Sequence, residues 1–233
     1  MSLTHRLVTW LIKRLVRILC RVHDRDLARV PKQGPLILTA NHVNFLEVPL
    51  MYTHLHPRPM TAFAKVETWD SPLLGWLADL WGAIPLQRGE ADTTALRAGL
   101  KALEEDLILC MAPEGTRSGD GRLQRGHPGI VLLALRSNAP LLPVAFYGGE
   151  QLRANLRRLR RTDFHIVVGR PFTLSANGDK VTREVRQQMA DEIMGQIAAL
   201  LPPAYRGAYS DPASITTTYL RFVDGDGGEP LRR

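Results

Sequence analysis

In the stretch Asn41-His-Val-Asn-Phe-Leu-Glu47 a histidine precedes a carboxylate by five positions. On a regular helix that spacing leaves the two side chains about 140° apart, so they would not meet. They meet if His42 lies on a loop and a helix begins near Asn44, with Glu47 in its first turn. The carboxylate then fixes the imidazole tautomer and stabilises the imidazolium, which is what a general base requires of its partner. The same letters have a second explanation. Asn44 followed three positions later by Glu47 is a capping box, which stabilises a helix start without any chemistry. The stretch alone leaves both open.

A second polar group is Pro113-Glu-Gly-Thr-Arg-Ser-Gly-Asp-Gly121. Its glycines permit close backbone approach, Thr116 and the backbone amides can donate to a phosphate, and Arg117 can hold an oxyanion with two donors. A plain strand-to-loop turn with a solvated Glu114 fits as well. The Lys-Ser/Thr ending of a nucleotide-binding loop is missing, so nucleotide hydrolysis is not indicated. Arg88, in Pro-Leu-Gln-Arg-Gly-Glu, reads as a phosphate-binding arginine or an ordinary surface charge. No Gly-x-Ser-x-Gly elbow occurs, and Cys110, inside an apolar run, reads as core. Two cysteines without metal-ligand spacing argue against a disulfide scaffold or a zinc cluster and fit a reducing cytoplasm. No metal site is expected.

The elements that must position these groups follow from hydrophobic patterning. Short apolar runs over 34–41 and ending at Lys65, Arg88, Glu114, Gly148 and Gly169 read as strands. Helical patterns fill the gaps: Phe45–His54, Pro72–Trp81, Asp92–Glu105, Pro128–Ser137 and Thr182–Leu201. This alternation predicts an α/β fold, a mostly parallel central sheet flanked by helices. Such sheets bind ligands beyond the carboxyl ends of their strands, and Asn41-His42, Arg88 and Glu114 to Arg117 all fall at predicted strand ends.

Hydrophobic residues make up 45% and charged residues 23% of the 233, which excludes a disordered chain and suits one domain with appendages. The boundaries read as an N-terminal amphipathic helix and linker over 1–30, a main domain over 31–203, and a tail over 204–233. The formal charge of +7 suggests anionic partners. Between Met1 and Val22 five basic residues share one arc, with Leu3, Leu7, Leu11, Leu15, Ile18 and Val22 opposite and Val8, Ile12, Val16 and Leu19 widening the apolar side. The charge-free run is too short to span a bilayer. The pattern fits a helix lying on an anionic membrane surface or one packed on its own domain. The run Arg153 to Arg161 lacks interleaved aromatics, and no nucleic-acid partner is expected.

Together and in this order these pieces resemble the phospholipid and glycerol acyltransferase family, best known through the 1-acylglycerol-3-phosphate acyltransferases. Asn41, His42 and Glu47 match its NHxxxxD block with Glu in place of Asp; Gly82 to Gly89 match the block that ends in an arginine; Pro113 to Ser118 match PEGTRS; Ala139 to Glu150 match the proline-containing strand. The resemblance covers about 34–150. It implies the glycerolipid acyltransferase fold and transfer of a fatty acyl group from acyl-CoA or acyl carrier protein to the hydroxyl of lysophosphatidic acid, with no cofactor and no covalent acyl-enzyme. His42 would be the general base and Glu47 its orienting partner, with Asn41, Lys65, Arg88, Glu114, Gly115, Thr116 and Arg117 binding the acceptor. Implied surroundings are a lysophospholipid acceptor and the cytoplasmic face of an anionic membrane. Alternatives are another lysophospholipid or lipid acceptor, or a catalytically weak lipid-binding protein of the same fold. In the family an aspartate stands at position 47, so Glu47→Asp is expected to be at least as active. Where the family often carries a Phe-Lys-rich stretch after its third block, this chain has Arg125 and His127.

Overall fold

A computed structural model describes residues 3–87, 92–211 and 214–223. Among these residues nine strands form one sheet: β1 (Cys20–His23), β2 (Leu36–Ala40), β3 (Met60–Lys65), β4 (Ile84–Leu86), β5 (Ile108–Met111), β6 (Leu141–Tyr147), β7 (Thr162–Val168), β8 (Phe172–Leu174) and β9 (Leu220–Phe222). The order is β1-β7-β6-β2-β5-β3-β4, with β8 on β6 and β9 on β8. Pairs β2 with β5 and β6, β3 with β4 and β5, and β1 with β7 are parallel, whereas β6 with β7 and the β8 contacts are antiparallel. This is the expected mostly parallel α/β sheet.

Central strands are apolar on both faces because both are covered. All five β2 residues are buried. Leu36, Leu38 and Ala40 face a core shared with helices α1 (Leu3–Leu19) and α2 (Glu47–His54), whereas Ile37 faces one shared with α4 (Thr93–Glu104), α5 (Gly129–Ser137) and α7 (Arg183–Leu200). Within α7, Met189, Ala190, Ile193, Met194, Ile197 and Ala198 recur at helical spacing and are all buried. Two shorter helices, α3 (Pro72–Leu80) and α6 (Leu152–Arg157), complete the chain order.

The N-terminal helix stops earlier than its periodicity suggests. Residues Cys20 to Val22, read as helix, belong with His23 to the edge strand β1. Cys20 is fully buried, and Arg161 donates to the carbonyls of Arg17 and Cys20 at 2.6 and 2.7 Å, receiving the orphan acceptors of the helix end. The helix packs on its own domain along one side only. Thr9 and Val16 are buried, Ile12 and Leu19 pack on the core, and Thr9 accepts from the Trp81 indole at 3.4 Å. Leu3, Leu7, Trp10, Leu11, Leu15 and Ile18 are each more than half exposed. No described helix is long and apolar enough to cross a membrane. Strand β9 comes from the segment set apart as a tail, and it too joins the sheet.

Candidate active site

At the carboxyl end of β2 the chain must leave the sheet without stranding its polar groups. Asn41 achieves this. It is buried, its Nδ2 donates to the Phe146 carbonyl at 2.8 Å, and its Oδ1 accepts from the Phe146 amide at 2.7 Å. The side chain thus continues the β2–β6 ladder one rung further, and both ends of its amide are engaged.

His42 follows on a non-helical segment. Its amide donates to Glu114 Oε1 at 2.9 Å, while Ser118 N and Gly119 N donate to the carbonyls of His42 and Val43 at 2.8 and 3.1 Å. The PEGTRS turn and the histidine loop are therefore one hydrogen-bonded unit. Glu114 is buried, and its second oxygen accepts from Gln124 N at 2.9 Å. Burial raises its pKa above the ordinary glutamate value, partly offset by those two amides.

His42 Nδ1 lies 3.0 Å from Glu47 Oε2. The His42 side chain is 16% exposed and that of Glu47 5%, so the contact is shielded from water. Both Glu47 oxygens also accept from Asn44 N at 3.1 Å. This is half of a capping box; the other half is absent, because α2 begins at Glu47 itself and Asn44 Oδ1 accepts instead from Leu46 N at 2.8 Å. Asn44 Nδ2 donates to the Gly149 carbonyl at 2.8 Å, tying this turn to the end of β6. A neutral imidazole donating from Nδ1 to the carboxylate carries its lone pair on Nε2, the form a base needs.

Asn41, His42, Glu47 and Gly115 line a cavity of about 170 Å³, whose walls are otherwise mainly apolar, among them Leu38, Val48, Met51, Met60, Phe63 and Cys110. Small residues in the lining, Ala40, Ala62 and Ala112, leave this space open. Burial pushes the Cys110 thiol up to about 12, so it stays a neutral wall atom. Gly115 has φ +67°, a conformation that favours glycine.

Of the other expected site residues, Thr116 and Arg117 stand exposed on the same turn, and Lys65 is exposed at the end of β3. Arg88 lies outside the described residues; β4 ends two positions before it. Among the described residues no three His, Cys, Asp or Glu side chains converge as a metal site would require. Sequence reasoning missed Gln124 and Gly149, which hold the loops through backbone groups that leave no signal in residue type. It also missed the apolar walls, whose signal was present in the strand and helix patterns but did not separate cavity from core.

The sequence pattern of the family described as Acyltransferase matches residues 21–147, more than half of the chain. The chain belongs to the acyltransferase family. It is an O-acyltransferase enzyme by that membership. Among relatives of this acyltransferase, the lyso-ornithine lipid O-acyltransferase of Pseudomonas aeruginosa is 28% identical over 215 residues, 84% of this chain and 81% of that one. A chloroplastic 1-acyl-sn-glycerol-3-phosphate acyltransferase of Brassica napus is 24% identical over 164 residues, 68% of this chain and 46% of that one. The chain spans about half the length of such plant and algal relatives. In fold, the acyltransferase resembles the crystal structure of PlsC, the 1-acyl-sn-glycerophosphate acyltransferase of Thermotoga maritima, with a TM-score of 0.61, 20% identity, and 84% of this chain and 78% of that one covered.

Proposed function

We propose that this acyltransferase moves a fatty acyl group from a thioester, acyl-CoA or acyl carrier protein, to the free hydroxyl of lysophosphatidic acid. The observation that carries the reading is the shielded 3.0 Å contact between His42 and Glu47 in the lining of an apolar cavity. His42 Nε2 takes the proton from the acceptor hydroxyl as its oxygen attacks the thioester carbonyl. The C–S bond then breaks, and the imidazolium returns the proton to the departing thiolate. Glu47 holds the tautomer and stabilises the imidazolium. The cavity accommodates part of the acyl chain. Arg117 and Thr116, with Lys65 at the end of β3 and with Arg88, receive the acceptor's phosphate. Asn41 and Glu114, fully engaged with backbone, position the loops that carry these groups.

The outward face of α1, rimmed by Arg6, Lys13, Arg14 and Arg17, rests on the cytoplasmic surface of an anionic membrane, where a lysolipid acceptor resides. A second acceptor is favoured by one observation: a relative matched over 84% of this chain and 81% of its own is named a lyso-ornithine lipid O-acyltransferase. An acceptor panel decides. Purified protein with a radiolabelled thioester is expected to acylate lysophosphatidic acid in preference to lyso-ornithine lipid and other lysophospholipids. A reversed preference replaces the acceptor, and no turnover with any acceptor overturns the reading.

A further inference from the structure

A second cavity, of about 610 Å³, lies between the loop after PEGTRS and the first turns of α7, lined by Arg125, Gly126, His127, Arg183, Glu184, Gln187 and Gln188. Its loop side is fixed. Gly126 is buried, its amide donates to the Tyr209 hydroxyl at 2.9 Å, and its carbonyl accepts from Gln187 Nε2 at 3.0 Å. Tyr209 in turn donates to Asp191 at 2.7 Å. A Cβ at Gly126 would sit 2.5 Å from Met194 Cγ, so the glycine is seated hard against α7. The exposed side chains of Arg125 and His127 flank this anchored point, opposite Arg183. Two guanidiniums on an immobile frame suit a phosphate ester.

This cavity adjoins the catalytic one through Gly115. That glycine lines the apolar cavity beside His42, and a Cβ on it would lie 3.3 Å from His127 Cδ2. His127 N donates to the Pro113 carbonyl at 2.8 Å, which fixes the two loops together. A ligand with its acyl chain among Met51, Met60 and Phe63 and its carbonyl at His42 would pass over a residue with no side chain. Its other end would then reach Arg125 and Arg183. We propose that this second cavity binds the phosphate-bearing phosphopantetheine arm of the acyl donor, apart from the acceptor headgroup at Arg117. The inference rests on the thioester reading above. Coenzyme A and acyl carrier protein share this arm.

The test uses the full chain and two variants, Arg125→Ala/Arg183→Ala and the milder Arg183→Gln. Donor and acceptor KM are measured with acyl-CoA, acyl carrier protein thioester and a phosphate-free N-acetylcysteamine thioester. The double variant is expected to raise donor KM by about tenfold or more for a phosphate-bearing donor, with the ratio near one for the phosphate-free thioester and for the acceptor. A rise confined to one carrier assigns the source; a rise for both assigns the shared arm. A rise in acceptor KM alone gives the cavity to the acceptor's phosphate and overturns the proposal, as does no change in either constant. Calorimetric titration of free coenzyme A and 4′-phosphopantetheine needs no turnover. Binding to the wild type that the variants lose upholds the cavity assignment even if no lysolipid is acylated, and no binding of either by the wild type refutes it.

Discussion

Glu47 reaches His42 because α2 starts at that residue, so its carboxylate curls back over the preceding turn and also takes the Asn44 amide. An aspartate is one methylene shorter and must give up one of these contacts unless the turn shifts. On this geometry Glu47→Asp is expected to lower kcat, where residue type alone suggested equal or higher activity, since a displacement of about 1 Å can cost roughly a hundredfold. His42→Ala should lower kcat by about 10²–10⁴-fold while lysolipid binding persists, measured by turnover and by equilibrium binding. Glu114 carries a pH signature. Its folded pKa lies above the ordinary value. Within that window the folded protein keeps a proton that the unfolded chain has released, so this group's contribution to stability falls as pH rises, then levels off. Urea unfolding across about pH 4 to 8 should show this slope in the wild type and lose it in Glu114→Gln.

At the scale of elements, α1 buries one side and leaves the other exposed. Periodicity identified a broad apolar side and a basic arc, but which residues are buried depends on the neighbours: Thr9 lies under Trp81, and Val16 joins the core that α2 shares. Deleting the helix would confuse membrane contact with folding, so the faces are best separated. Leu7→Ser/Leu11→Ser should cut cosedimentation with anionic vesicles several-fold and leave the melting temperature nearly unchanged, because both side chains are already more than half exposed. Val16→Ala should do the reverse, lowering stability by about 1–2 kcal/mol with vesicle binding retained. The strands and helices around the site were legible because their apolar runs are long and regular. β1 was not, since Cys-Arg-Val-His continues a helical stripe and becomes a strand only when β7 offers it a ladder.

Over the whole molecule, the segment after α7 completes the fold. Glu192, 1% exposed, accepts from Thr216 Oγ1, Thr218 N and Tyr219 N at 2.5, 2.9 and 2.9 Å, pinning that segment to α7 and leading it into β9. Closer to the site, Leu123 N donates to the Tyr205 carbonyl and Ala208 N to the Leu123 carbonyl, both at 2.9 Å, bracing the loop that follows PEGTRS. Removing a buried acceptor with several donors leaves those donors unpaired. Glu192→Ala should destabilise by about 2–4 kcal/mol in thermal or urea unfolding. A main domain ending at 203 would lose these braces.

The sequence by itself determined the alternation of strands and helices, the strand ends at which polar residues cluster, and the blocks that mark the family. These are local properties, set by side-chain periodicity and by residue types that must stand at a turn. Tertiary structure alone decided that His42 and Glu47 meet at 3.0 Å, that Asn41 and Glu114 are spent on backbone groups, and that Gly115 lies against His127. The Asn41 and Glu114 contacts depend on backbone atoms of segments up to 105 residues away in the chain, and backbone donors and acceptors carry no letter of their own.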